Sequence, residues 1–490
     1  MRFTNHLVAT LTLACSFYNV ADEQTPTLKL YDNEKQILFT ANSGETTDAV
    51  EGHLWVPENR DNPNSRKIRV NYVRFPATGS KSGSPIVYLS GGPGGSGIGT
   101  AKWRRYPLFQ ALREFGDVIA LDQRGTGKSE QAAPCVSTHK LALNKVISAE
   151  QVTQSYRAAA RECFASWKSQ GYDIYGYNSN QNALDIDDIR THLNADKVTL
   201  WGISYGSHLA LAAMKLFPQH IDKVIIASAE GLNQTVKLPA QTDLYFKKLQ
   251  VVIDQQALKT DIPNLSALMK RVHAKLDETP KQITIQNRDG SMTKLLFQTH
   301  HLQTLAGKMI ADPNHYLAIL LHIYLGLDND NTELLSAVLQ RGMFNDEPIT
   351  FKLMPLAMDI ASGISAARLA QVKQQARTSL LAGQLNFPMP HLNMLDNQLD
   401  LGDEFRTEVQ SSIPTLLFSG SLDGRTYPES QAQTVKGLSN LTHITVNHAG
   451  HNLYTSSPEV LVRMKTFLAG KTVSQDPINL PLPQLRMPER

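Results

Sequence analysis

An excess of charge of one sign is missing from this chain. Its 48 lysines and arginines face 45 aspartates and glutamates across 490 residues, a formal net charge of +3. No basic block stands out, so the electrostatic footprint of a nucleic-acid binder is absent. Long apolar runs are missing too. The N-terminal stretch "HLVATLTLACSFY" is about a dozen residues, short of the ~20 that a spanning helix needs. No later segment is long and charge-free enough to replace it, and no membrane span is expected. Internal repeats, low-complexity tracts and metal-ligand spacings are also lacking. Neither a metal nor another cofactor is expected.

What remains is the composition of an ordinary globular protein, 41% hydrophobic and 19% charged. The length suggests about two to four domains. Arg2, a short apolar core and a small residue at Ala21 form a secretory signal pattern, so residues 1–21 are expected to be a leader. That places the protein outside the cytoplasm, in a periplasm or the medium. A buried first helix is the competing reading. A lipid anchor at Cys15 is disfavoured, because Thr12 stands where a lipoprotein site carries leucine. The cysteines number three, and with the leader gone Cys135 and Cys163 remain. In an oxidising compartment an even pair reads as a disulfide. Such a bond would close a loop of about 29 residues and add roughly 3–4 kcal/mol; two free buried thiols are the alternative.

Residues 50–56 and 67–75 read as strands parted by the turn-rich "PENRDNPNS". Short apolar runs then alternate with helical patterns. Strands are expected at 85–90, 117–122, 197–203 and 223–228, and helices at 101–115, 180–194 and after Ser204 up to Pro218. That rhythm denotes a mostly parallel sheet with helices on both faces. It stops near 233, gives way to helical patterns up to 405, and resumes with strands at 413–420 and 443–447 and helices near 428–438 and 457–469. The expected organisation is an α/β core at 22–232 and 406–470, a helical cap at 233–405, and a proline-rich tail at 471–490 extended over the surface.

The strongest chemical signal is "GISYG" at 202–206. Gly-x-Ser-x-Gly between a buried strand and a helix puts a serine on a sharp turn with its hydroxyl exposed. The strand "KVTLW" and helix "HLALAAM" supply that context, and Ser204 is the expected nucleophile. It needs a base and a carboxylate that orients the base. "SLDGRTYP" offers Asp423 after one later strand, and "HAGHNLY" offers His448 and His451 after the next. The chain order is serine, acid, histidine, and both loops leave the carboxyl ends of strands. His451 is preferred because Ala449 and Gly450 let its loop turn back, with His448 as the rival. Oxyanion donors are expected at the Tyr205 backbone N–H and at Gly92 in "SGGPGGSG". "DQRGTGKS" ends like a phosphate-binding loop, but Asp122 occupies the position of that motif's first glycine, so the match fails.

The ordered pieces "GHLWVP", "YLSGGPGGSG", "ALDQRGTGKS", "ALDIDDIR", "WGISYGSHLAL", "LLFSGSLDGRTYP" and "HAGHNLY" resemble the proline iminopeptidase and tripeptidyl aminopeptidase family of α/β-hydrolases. The resemblance implies an α/β-hydrolase fold and a serine exopeptidase acting on peptide N-termini, with Ser204, Asp423 and His451 as its triad. It also implies a cis Gly92–Pro93 bond, and cysteines placed as in secreted members. Two departures stand out. Ser90 replaces a histidine before the glycine loop, and "SAEG" puts Glu230 where relatives carry Asp-Gly. Glu230 is therefore a candidate anchor for the substrate amine, against a surface or capping role, and acidic residues of the insertion are the alternative anchors. An ester or lactone hydrolase with the same triad is the alternative activity; a catalytically dead binding module is the third reading.

Overall fold

The computed structural model describes residues 29–79, 83–286 and 290–486. The expected leader at 1–21, with Cys15, lies outside the described residues. Three strands open the fold: β1 (Glu34–Thr40), β2 (Thr46–Pro57) and β3 (Lys67–Phe75). They form an antiparallel meander. β1 is absent from the sequence expectation because only Phe39 of its seven residues is buried, which leaves no period to read.

The alternating region supplies β4 (Ile86–Leu89), β5 (Val118–Leu121), the two-residue β6 (Cys135–Val136), β7 (Val198–Ile203) and β8 (Ile221–Ala227). The middle of the chain adds β9 (Lys281–Gln286), β10 (Met292–Phe297) and β11 (Thr350–Phe351). The last stretch adds β12 (Thr415–Gly420), β13 (Leu441–Asn447) and β14 (Ile478–Asn479). Ten strands make one sheet in the order β1-β2-β3-β5-β4-β7-β8-β12-β13-β14. From β5 onward every neighbour is parallel. β4, β5, β7 and β12 are buried at every residue, as strands covered on both faces must be.

The helix expected at 101–115 is broken. Helices Gly97–Lys102 and Tyr106–Leu112 are separated at residues 103–105. Pro107 explains the break, since it lacks the N–H that a continuous helix would donate to the Trp103 carbonyl, and it is tolerated only in the first turn of a new helix. Trp103 is left 66% exposed at the corner.

Residues 233–405 leave the sheet between β8 and β12 and build a core of their own around Tyr245, Leu249, Met269, Leu302 and Leu321. It is mainly helical, and it also holds the antiparallel hairpin β9–β10. The tail is less superficial than its proline content implies. β14 pairs with β13 at the sheet edge, and Leu485 is buried in the core of the insertion. The Gln256 side chain donates to the Pro483 carbonyl at 3.0 Å and accepts from the Leu485 N–H at 3.2 Å.

Cys135 and Cys163 form a disulfide, 28 positions apart in the sequence. It ties β6 to the long helix Ala149–Ser169, and β6 pairs with β11 of the insertion. Cys163→Ser should lower stability by about 2–5 kcal/mol, read as a fall in the urea midpoint. An unchanged midpoint would mean that the Trp167 indole, which donates to the Ala133 carbonyl at 3.0 Å, holds this loop without the covalent bond.

Candidate active site

Ser204 sits between β7 and the helix Tyr205–Leu216 with φ +55° and ψ −126°. Few non-glycine residues hold such a backbone, and it must be enforced by the surroundings. The enforcement is visible at Gly206, where an added Cβ would lie 2.0 Å from the Leu89 carbonyl oxygen. Helix and β4 thus approach too closely for any side chain there, and the turn cannot relax. Tyr205 is the first residue of the helix, so its N–H has no acceptor within the helix. It points the positive end of the helix dipole at the space before the serine.

Asp423 follows β12 and is fully buried. Its Oδ1 accepts the Arg425 and Thr426 N–H groups at 2.8 and 2.9 Å, and its Oδ2 accepts the Thr426 hydroxyl at 2.8 Å. His451 Nδ1 lies 3.1 Å from both carboxylate oxygens. Burial pushes the Asp423 pKa up, but the His451 charge and hydrogen bond and the two amides outweigh it, leaving the carboxyl below its usual range. An ionised Asp423 that accepts from Nδ1–H leaves Nε2 as the free base of the ring.

The two histidines separate cleanly. His448 Nδ1 lies 2.7 Å from the Leu480 carbonyl, so its ring serves the tail at the sheet edge. His451 lines a cavity of about 940 Å³ together with Ser204, Gly91 and Gly92. Its backbone is fixed from two sides: its N–H donates to Ala311 at 3.0 Å and its carbonyl accepts the Ser228 hydroxyl at 2.9 Å. Gly450, just before it, lies so near the insertion that a Cβ would fall 2.2 Å from Pro313 Cδ.

Gly92 precedes a cis Gly92–Pro93 bond and has φ +131°. Ser90 also lines the cavity, and its carbonyl accepts from Gln123 at 2.9 Å. A Cβ on Gly94 would lie 2.6 Å from Pro355, at the start of the insertion helix Leu353–Ser362. That helix therefore rests directly on the glycine loop.

Glu230 is buried but already engaged, its Oε2 2.9 Å from Lys237 Nζ. Burial raises its pKa and Lys237 more than reverses this, so the carboxylate stays charged and paired. Asp359, on the helix above, was not legible in the sequence. Its pKa is pushed up to about 7 by burial and by the charge of Glu230, with Lys237 and Arg425 pulling the other way. Among the described residues Asp359 has no ion-pair partner. A sequence that gives no periodic signal for a pocket cannot single out one aspartate in a long helical insertion.

Residues 84–293 match the family described as the alpha/beta hydrolase fold. The chain has the α/β-hydrolase fold. The chain is similar to "Serine protease Hip1" of Mycobacterium tuberculosis, 33% identical over 38% of this chain and 36% of that protein. It is similar to "Tripeptidyl aminopeptidase" of Streptomyces lividans, 27% identical over 36% of this chain and 34% of that one. A "Probable proline iminopeptidase" of Streptomyces coelicolor is 27% identical over 34% and 40% respectively. The chain thus spans well under half the length of these relatives, and they agree with the resemblance carried by the motifs.

Two further motifs support the site from below. In "DQRGTGKS", Asp122 gathers the loop by accepting the Ile98 and Lys128 N–H groups at 3.0 and 2.7 Å. Arg124, with no exposed surface, holds both oxygens of Asp185 from "ALDIDDIR" at 2.8 and 2.6 Å. It also donates to the Glu58 and Gly176 carbonyls, each at 2.6 Å. The segment that imitates a phosphate loop is a buried polar anchor.

Proposed function

We propose that this hydrolase is a serine exopeptidase, an aminopeptidase that releases residues or short peptides from peptide N-termini through an acyl-enzyme on Ser204. The reading is carried by His451, which is held by the buried Asp423 and lines one cavity with a serine on a strained strand–helix turn. His451 Nε2 takes the Ser204 proton as Oγ bonds to the carbonyl carbon, while Asp423 steadies the imidazolium. The Tyr205 and Gly92 N–H groups receive the oxyanion. The C–N bond then breaks and His451 returns the proton to the leaving amine. Water, deprotonated by His451, splits the ester and restores Ser204. The insertion at 233–405 acts as a cap over this chemistry, and the Cys135–Cys163 bond supports an exported protein.

The substrate ammonium would rest on Asp359 in preference to Glu230, because Lys237 already neutralises Glu230. Asp359→Asn should lower kcat/KM for free-amine peptides roughly ten- to a hundredfold relative to N-blocked ones. Asp359 must be ionised to hold an ammonium. With its pKa raised to about 7, the preference for free-amine over N-blocked substrates should fade as the pH drops through that value. Equal preference at every pH would remove Asp359 from this role.

The activity itself is tested with free-amine and N-blocked peptide anilides alongside short p-nitrophenyl esters. Turnover of esters with none of any free-amine peptide would replace this reading with the ester or lactone hydrolase that the same triad supports.

A further inference from the structure

The cavity before Ser204 carries a charge that the triad does not explain. Arg104, Arg105 and Arg425 all line it, and among the described residues no aspartate or glutamate does. None of the three guanidinium groups forms an ion pair among those residues. Arg104 is exposed at the corner beside Trp103, created where Pro107 breaks the helix. Arg105 lies over the rings of Tyr88 and Tyr454, 5.7 and 5.6 Å from their centroids, and its Nη2 is 3.4 Å from Asn452 Oδ1. Asn452 directly follows His451, so this basic group flanks the imidazole that protonates the leaving amine. Arg425 follows Asp423 by two residues and is half-buried. Arg105 also donates to the Tyr88 hydroxyl, but none of the three cations is neutralised by a carboxylate, and in a concave site they focus a positive potential on whatever enters.

The acidic groups lie elsewhere. Glu230 and Asp359 influence each other's surroundings, and Arg425 acts on Asp359 from the basic side. Neither carboxylate belongs to the lining of the cavity. The lining of the cavity is therefore basic only, and Arg425 is the group that links it electrostatically to Asp359 on the insertion helix.

We infer that the arginine group binds the C-terminal carboxylate of the substrate's leaving portion, so that the preferred substrates are short peptides with both ends free. The inference rests on the exopeptidase reading and adds the far end of the substrate to it. Planar guanidinium groups pair with carboxylates through two parallel hydrogen bonds, which a carboxamide cannot reproduce. A carboxylate a residue or two beyond the scissile bond would meet them; one much farther along the chain would lie outside the cavity.

The test compares kcat/KM for matched peptides that end in a free acid or an amide one or two residues past the cleaved bond. The acid should be favoured roughly ten- to a hundredfold, and the preference should vanish when the carboxylate is moved several residues outward. The double variant Arg104→Gln/Arg425→Gln should bring the acid-to-amide ratio close to one, a readout that cancels any loss of folded enzyme. Equal rates for acid and amide in the native protein, or an undiminished ratio in the variant, overturns the inference. Absence of turnover of every free-amine peptide is a different result and sinks the exopeptidase reading instead.

Discussion

Ser204→Ala should lower kcat on any acyl substrate by about 10⁵–10⁶-fold. The serine is the only group proposed to form a bond to substrate, and the turn that holds it is kept by backbone contacts such as Gly206 on Leu89, which the substitution leaves intact. The variant should therefore fold normally while losing labelling by a fluorophosphonate probe. His451→Ala should fall as far, and the double variant no further, because the two residues act as one unit. Asp423→Asn should cost about 10⁴-fold, since the amide presents the wrong partner to Nδ1–H and releases the imidazole from its productive tautomer. His448→Ala should keep normal turnover, its ring being directed at Leu480. Residual activity in His451→Ala together with its loss in His448→Ala would reverse the assignment of the base.

Arg124→Ala should destabilise the fold by about 3–5 kcal/mol. Its guanidinium donates to three carbonyls, those of Pro57, Glu58 and Gly176, and to one carboxylate at zero exposure, and removal takes a donor from each. Arg60 Nη2, 2.8 Å from Asp185 Oδ1, can neutralise part of the orphaned charge but cannot reach across to the Gly176 carbonyl's lost partner. Pairing the change with Asp185→Asn should recover some stability, because the buried charge disappears while the unpaired carbonyls remain. A thermal or urea midpoint within the error of the native protein would show that water replaces the arginine.

The parts legible in the sequence were those in which the chain reports its own surroundings. Strands β4, β5, β7 and β12 are buried on both faces, so they read as short apolar runs, and the loops at their ends carry the glycines, the serine and the aspartate. The choice between His448 and His451 rested on Ala449 and Gly450, and the close approach of Gly450 to Pro313 is the physical reason small residues stand there. The hairpin β9–β10 left a weaker trace: Ile283 and Ile285 alternate with exposed Gln282 and Thr284 inside a region otherwise patterned for helices. Asp359, Lys237 and the arginine corner left none, since each gains its meaning from a neighbour far away in sequence. Glu230 shows the same limit from the other side, because its identity was readable and its partner was not.

The helix Leu353–Ser362 rests on Gly94, and the segment around Ala311 holds the backbone of His451. The insertion is thus part of the frame, and swinging it aside would disturb the glycine loop and the backbone of His451 together. On the proposed exopeptidase activity, a fixed insertion asks the substrate to bring a loose end to Ser204, and folded proteins, which present few such ends, would be spared while their fragments are cut.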